Sequence, residues 1–587
     1  MENLDIARTL TALADLLEIQ GANPFRIRAY RNAVNTIESL SRPLTAMIEA
    51  GEDLTELPNV GKNVAAHIVE LLDTGHIGRM DEVTAEFPET LVELMRLDGV
   101  GPKKARKLFE ELRVETVDDL EEQIERGAVQ ELEGFGEKSV EKIRHAIEDY
   151  RKHTGRFRIH EVEQLIAGLL EYVRETPGVG EVQVAGSLRR RKETIGDVDL
   201  LARYEGDGTP VVDRFVAYEG AARVEGAGPT KGSIVLHSGL QVDLRVIPAR
   251  SFGAALQYFT GSKEHNVAVR TRAVREGMRV NEWGVFRIPP DVDPATLGKE
   301  EGERLAGKTE EDVYDALGMD WMPPELRENR GEVEAAVAHD VPRLVTLEDI
   351  RGDLQMHSTW SDGMVSIEEM ALACRDLGYA YIAITDHSQA MAMVQGLTPE
   401  RARAQWEEID EVRERIDGIE ILRSTEVDIL KDGSLDMPDD VLEELDVVVV
   451  SVHSFMDQDR KTMTERVIKA MQHPCVDILA HPTGRIINRR EAFAMDVEAV
   501  LTAAAELEVA VELNANPNRL DLSDVHVHRA RELGVPVVIS TDAHKPAGLE
   551  NMRFGVDQAR RGWLGPDDVL NTRSLSKFKK WLARRSS

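Results

Sequence analysis

Two groups of residues in this chain are of types and spacings that bind metal ions. The first is Gly186-Ser187-Leu188-Arg189-Arg190 followed by Gly196-Asp197-Val198-Asp199, with a further aspartate in Val242-Asp243-Leu244-Arg245. The second is a string of short motifs: Met356-His357-Ser358, Thr385-Asp386-His387, Thr425-Glu426-Val427, Val452-His453-Ser454, Ala480-His481-Pro482 and Thr541-Asp542-Ala543-His544, with Asp362 between the first two. Carboxylates alone suit hard ions such as Mg²⁺ or Mn²⁺, whereas a mixed His/Asp/Glu set suits Mn²⁺, Zn²⁺ or Fe²⁺. The chain therefore carries the residues of two different metal centres.

Each group needs an element that aims it. Asp197 and Asp199 are two apart in an apolar strand pattern, so their carboxylates share one face, and Asp243 on a second such strand completes a trio. The Gly-Ser turn with paired arginines offers backbone donors, a hydroxyl and cations to a triphosphate. In the second group, Ile382-Ala383-Ile384 precedes His387, Val447 to Val450 precedes His453, and Ile478-Leu479 precedes His481. Strand ends converge at one mouth of an α/β barrel, and the alternation of buried-type strands with helices from 351 onward fits such a barrel. His526-Val527-His528 has a ligand-like spacing but falls on a probable helix after Leu522-Ser523-Asp524, and reads as structural.

The rest of the chain frames these groups. Residues 1 to about 150 read as helical and repeat a pattern of apolar residue, glycine turn and helix, at Leu57 to Lys62 around Gly61, at Leu97 to Lys103 around Gly99 and Gly101, and at Leu132 to Lys138 around Gly134 and Gly136. Such helix-hairpin-helix turns point backbone N–H groups and a helix's positive end at a phosphate without reading sequence. Lys103 and its neighbours add charge. The 587 residues carry a net charge of −34 and 53 Arg against 19 Lys, which does not exclude nucleic-acid binding where basic residues cluster locally, as in Arg189 to Lys192 and the tail from Arg573 to Arg585. The two cysteines, Cys374 and Cys475, exclude a disulfide framework and a thiolate zinc site. With no secretion signal and no apolar run long enough to span a membrane, the expected location is cytoplasmic.

The Gly-Ser, Arg and Asp-x-Asp arrangement, continued in Tyr258-Phe259-Thr260-Gly261-Ser262, resembles family X DNA polymerases. The second group resembles the PHP (polymerase and histidinol phosphatase) domain, over about 225 residues. The resemblances imply a multidomain α+β and α/β chain. Its expected parts are an 8-kDa-like DNA-binding domain over 1–90, a fingers-like hairpin region over 91–154, a nucleotidyltransferase palm over 155–250 and a thumb over 251–330. A linker over 331–350, a distorted (β/α)7 PHP barrel over 351–575 and a basic tail over 576–587 complete it. They imply Asp197, Asp199 and Asp243 as catalytic Mg²⁺ or Mn²⁺ ligands, and Gly186, Ser187 and Arg190 at the triphosphate. Tyr258, Phe259 and Gly261 would shape the sugar pocket, Asn266 touch the incoming base and Arg270 the template. In the barrel, His357, Asp362, His387, Glu426, His453, His481, Asp542 and His544 would hold up to three ions, with Glu426 bridging, Asp386 orienting a ligand and Arg485 meeting a phosphate.

Two departures from the family patterns stand out. The opening PHP motif is usually His-x-His, and here it is Gln355-Met356-His357, a weak neutral amide in place of an imidazole. Where lyase-active family members have a Schiff-base lysine, this chain has His67, which lacks the required amine. The expected function is gap-filling DNA synthesis in repair on gapped or primed duplex with deoxynucleoside triphosphates, joined to a metal-dependent 3′–5′ exonuclease. Cleavage at abasic sites or removal of 3′ phosphates are further activities the family implies, and a monomer is expected. The alternatives are a PHP domain that is structural or channels DNA, and a small-molecule phosphatase.

Overall fold

The computed structural model describes residues 3–40, 42–95, 97, 99–152, 156–289 and 298–586. The boundary expected at 154/155 and residues 290–297 of the expected thumb lie outside them. The chain divides into two compact units, one of Met1–Phe157, Leu165–Gln183 and Gly196–Pro248, the other of Arg158–Gln164, Val184–Ile195 and Ala249–Ser587.

The first unit begins with helices. Asn3–Gln20 and Pro24–Ser39 bury Ile6, Leu10, Leu13, Leu17, Ile27 and Tyr30 on facing stripes, and one apolar core runs on through the helices to Ile147. The three glycine turns each lead into a helix, Lys62–Thr74, Pro102–Leu112 and Glu137–Lys152. Gly99 (φ 90°) and Gly134 (φ 92°) take left-handed backbone that a side chain would strain. The unit ends in a five-stranded sheet ordered Glu181–Val184, Asp197–Arg203, Gln241–Ile247, Lys231–Leu236, Ala221–Ala227. Asp197–Arg203 and Gln241–Ile247 are parallel, and their register sets Asp199 directly opposite Asp243.

In the second unit, helices Phe252–Thr260 and Lys263–Arg275 pack on a three-stranded antiparallel sheet of Met278–Asn281, Gly284–Arg287 and Glu303–Ala306. The stretch expected as a linker over 331–350 is not an open connection. Helix Glu332–Ala338 buries Val333 and Ala336 in the same core, and the wholly buried Glu332 meets His265 Nδ1 at 2.6 Å. Its short apolar stripe and the surrounding prolines hid it from the periodicity.

Seven parallel strands follow in chain order: Gly352–Asp353, Tyr381–Ile384, Glu420–Asp428, Val447–Ser451, Ile478–Leu479, Ala510–Asn514 and Val537–Ser540. A parallel bridge between Met356 and Ala543 brings the last strand round to the first. Inward residues such as Ala383, Leu422, Val449 and Val538 fill the barrel, while their alternates pack on surrounding helices. The expected basic tail is also structured. Helix Leu575–Leu582 drives Phe578 into the barrel core, stacked on Tyr381 at 5.1 Å, and the lysines that marked a tail occupy its exposed side.

Candidate metal centres and nucleotide-binding turn

The first centre is built on the paired strands of the first unit. Because Asp199 lies between two like charges, burial first and then Asp197 and Asp243 push its carboxyl up to about 6. Asp243 is itself pushed up by burial, but the net shift is downward because Lys231, Ser233 and Gln241 bond to it. Lys231 Nζ stands 2.8 Å from Oδ2, and Ser233 Oγ donates to Oδ1 at 2.6 Å. Three oxygens-only ligands, one of them repelled by the others, fit hard divalent cations, which would relieve the repulsion.

The second unit holds the other expected nucleotide contacts. Gly186–Arg189 forms one helical turn, and both arginines leave it for helix Phe252–Thr260 and beyond. Arg189 makes a bidentate pair with Glu310, 2.7 Å on each arm, and donates to Thr260 Oγ1. Arg190 donates to the Thr260 carbonyl at 2.9 Å and to Glu328 at 3.0 Å. Gly261 ends the helix that carries Tyr258 and Phe259, whose rings meet edge to face. Asn266 Nδ2 donates to the carbonyls of Tyr258 and Gly261, so in this state its amide clamps the turn. Arg270 is exposed one helical turn further on.

In the hairpins, Gly61 and Gly101 are the residues just before their helices, and Gly136 immediately precedes Glu137. Lys62, Lys103 and Lys138 are exposed in the first helical turns. Lys104 points inward, to the Gly99 carbonyl and Ser139. His67 is also committed: its Nδ1 lies 2.8 Å from the Tyr30 hydroxyl, and burial lowers its pKa.

The barrel mouth gathers all eight of the residues expected as mixed ligands. His357, Asp362, His387 and His544 have ligand atoms within 4.8 Å of one another, as do His387, Glu426 and His453. The distances sort them into three subsets. Asp362 Oδ2 lies 3.3 Å from His544 Nε2 and 3.6 Å from His387 Nε2. Glu426 Oε1 lies 2.9 Å from His481 Nε2 and 3.3 Å from His453 Nε2. His357 Nε2 lies 3.2 Å from Asp542 Oδ1 and 3.6 Å from Glu426 Oε2. Both ring nitrogens of His357, His387 Nδ1 and Glu426 Oε2 are buried without a hydrogen-bond partner among the described residues. Buried polar atoms left so are costly, and coordination to divalent ions answers them. The donor set fits a cluster of ions, with Glu426 facing two subsets.

Around the candidate ligands lie supporting residues, some of them, such as Asp386, already marked by their motifs and others, such as Glu512 and Arg519, not. Asp386 accepts from Ser358 N–H and Oγ, Ser361 N–H and Oγ and Gln405 Nε2, and so fixes the loop between His357 and Asp362. Glu512 accepts from the His481 N–H at 2.6 Å; its carboxyl is raised far above the usual range by burial and by Asp542. Glu512 and Asn514 alternate inward on one strand, and an acid inside the apolar run Val509 to Leu513 is the signal that marks them. Gln355 is buried with both amide atoms unpartnered among the described residues. Arg485 is committed to Glu193 and the Leu520 carbonyl, whereas Arg519 Nε lies 3.6 Å from Asp542 Oδ2. His526 and His528 sit on helix Asp524–Leu533, with His528 against Trp563 and the Gly562 carbonyl.

The chain matches the profiles of a helix-hairpin-helix domain over residues 1–77, a SAM-like helix-hairpin-helix tandem over 91–149, the DNA polymerase beta thumb over 255–328 and the PHP domain over 353–516. It is 39% identical over 586 residues, the full length of both chains, to the DNA polymerase/3′-5′ exonuclease PolX of Bacillus subtilis (strain 168). The chain belongs to the family X DNA polymerases that carry a PHP domain. Rat DNA polymerase lambda is 26% identical to it over 353 residues, 56% of each chain. A probable phosphatase of Thermoanaerobacter sp. (strain X514) is 28% identical over 230 residues, 38% of this chain and 89% of the relative. The polymerase and PHP domains of this family imply divalent metals. Among the described residues no helix is long and apolar enough to cross a membrane.

Proposed function

We propose that this family X polymerase fills short gaps in DNA from Asp197, Asp199 and Asp243, and that its PHP centre degrades DNA from the 3′ end. The observation that carries the reading is the presence of both donor sets, an oxygen-only trio and an eight-ligand mixed cluster, in a chain similar to PolX over its whole length. In synthesis the primer 3′ hydroxyl attacks the α-phosphate of a deoxynucleoside triphosphate, and pyrophosphate leaves. Divalent ions, when bound, supply the Lewis acidity that lowers the pKa of the attacking group and neutralises the leaving one.

The chain's own residues then have separate tasks. Asp199, set directly against Asp243, would hold the ions together with it and with Asp197. Ser187 and the backbone of Gly186 receive phosphate oxygens, and Arg190 balances their charge. Tyr258, Phe259 and Gly261 bound the sugar, Asn266 meets the base, and Arg270 meets the template. Gly61, Gly99, Gly101, Lys103, Gly134 and Gly136 hold the duplex backbone. In the barrel the eight residues would hold Mn²⁺, Zn²⁺ or Fe²⁺, and Arg519, the guanidinium beside Asp542, would steady the scissile phosphate in the place first assigned to Arg485.

One assay tests this directly. On a one-nucleotide gap with Mg²⁺, Asp199→Asn is expected to lower insertion at least about a hundredfold. An insertion rate equal to wild type would remove Asp199 from the catalytic trio.

A further inference from the structure

The turn that carries Arg190 is gripped by side chains of the barrel. Arg561 NH1 donates to the Arg190 carbonyl at 2.7 Å, Asp557 Oδ2 accepts from Arg191 Nε at 2.7 Å, and Arg485 pairs with Glu193 at 2.6 Å. Asp557 and Arg561 lie four residues apart on helix Met552–Arg561, so they present one face to the turn.

Glu328 lies at the centre of this contact. Its Oε1 accepts from Arg190 Nε at 3.0 Å and from Arg561 NH1 at 3.1 Å. Arg561 is 2% exposed and continues to Asp524, which also takes Arg330 at 3.0 Å. One carboxylate oxygen is thus shared between a guanidinium of the nucleotide-binding turn and a guanidinium of the PHP helix. An incoming triphosphate must draw Arg190 away from that oxygen. Removing one partner of a buried pair strands the other charge, unless a second partner stays with it.

We infer that Glu328 and Arg561 are positioning residues for the nucleotide: Glu328 competes with the triphosphate for Arg190, and Arg561 keeps Glu328 charge-compensated when Arg190 leaves. The inference rests on the reading of Arg190 as a triphosphate contact. It gives the PHP domain a part in DNA synthesis that is separate from its own chemistry. Loss of Arg561 makes Arg190 the main counter-ion of Glu328, and so harder to release. Neutralising Glu328 frees Arg190. Neither residue touches the reacting atoms, so the effect belongs in KM rather than kcat.

The test uses the full chain on gapped DNA, with KM and kcat measured for the incoming nucleotide. Degradation of the 3′ end without nucleotides serves as the check of folding. R561Q is expected to raise KM on the order of tenfold with kcat and degradation unchanged, because a charge-assisted bond to Glu328 is lost. R561K, which keeps the charge, is expected near wild type. E328Q is expected to lower KM, and E328Q/R561Q to match E328Q alone, since a neutral Glu328 position no longer needs Arg561. Wild-type KM in R561Q, with a raised KM in R190Q, overturns the inference and leaves the Arg190 reading intact. Wild-type KM in R190Q overturns the Arg190 reading itself. Should R561Q lose degradation through misfolding, E328Q decides: a KM at or above wild type overturns the inference.

Discussion

Asp199 is in tension at neutral pH, and this tension links metal binding to stability. Its folded pKa of about 6 lies above the ordinary 3.8, so the folded state prefers the protonated form. Stability is therefore fullest below pH 4 and declines as pH rises through 6. In metal-free protein at pH 7, Asp199→Asn is expected to raise stability by about 1–2 kcal/mol in urea unfolding, and to lose that advantage at pH 4. A destabilised variant at pH 7 would contradict the like-charge account. At the other centre, Gln355 has two buried amide atoms beside His357, unpartnered among the described residues. Gln355→His is expected to increase Mn²⁺ affinity by on the order of tenfold in a direct binding titration, because an imidazole is a better ligand than an amide. An unchanged affinity would place position 355 outside the cluster. Asp197, Asp199 and the histidine motifs were legible in the sequence because strand period and apolar runs point them. Arg519 and Gln405 were not, since each acts through a partner far away in sequence, Asp542 or Asp386.

At the scale of elements, the hairpins and the thumb make separate claims. Lys62, Lys103 and Lys138 each follow a glycine turn. Changing all three to Gln is expected to weaken duplex binding and to reduce the slope of log K against log salt by about 0.9 per lost phosphate contact. An unchanged slope would leave the turns as plain interhelical connections. In the thumb, Glu310 is buried among Arg189, Arg327 and Trp321. Burial opposes its ionisation, but Arg327 and Arg189 hold its carboxyl down to about 2, below the ordinary 4.5. Its contribution is present above pH 4.5 and is lost as pH falls towards 2. Glu310→Gln is expected to cost about 3–5 kcal/mol at pH 7, read by urea unfolding, because two guanidiniums lose their charge partner. The helices of 1–150 and the five barrel strands with apolar runs could be read from the sequence pattern, whereas Gly352–Asp353 and the polar-interrupted Glu420–Asp428 could not. Glu332–Ala338 could not, because seven residues with two buried apolar positions carry too little periodicity, and its anchor is the long-range pair of Glu332 with His265.

At the scale of the whole molecule, two candidate metal centres of opposite ligand chemistry share one chain. Helix Leu575–Leu582 shows what charge alone does not reveal about the basic carboxy-terminal residues. Its lysines face outward, while Phe578 closes the base of the barrel against Tyr381. Phe578→Ala is expected to cost about 3–5 kcal/mol and to reduce 3′ degradation at elevated temperature before synthesis is affected. The central claim is that each centre performs one of the two activities. Primer extension and 3′ degradation should be measured on the same gapped duplex for wild type, Asp197→Ala/Asp199→Ala and His387→Ala/His481→Ala. The expected result is that the first double variant degrades but does not extend, and the second extends but does not degrade. Degradation that survives loss of both histidines, or extension that survives loss of both aspartates, would contradict the account.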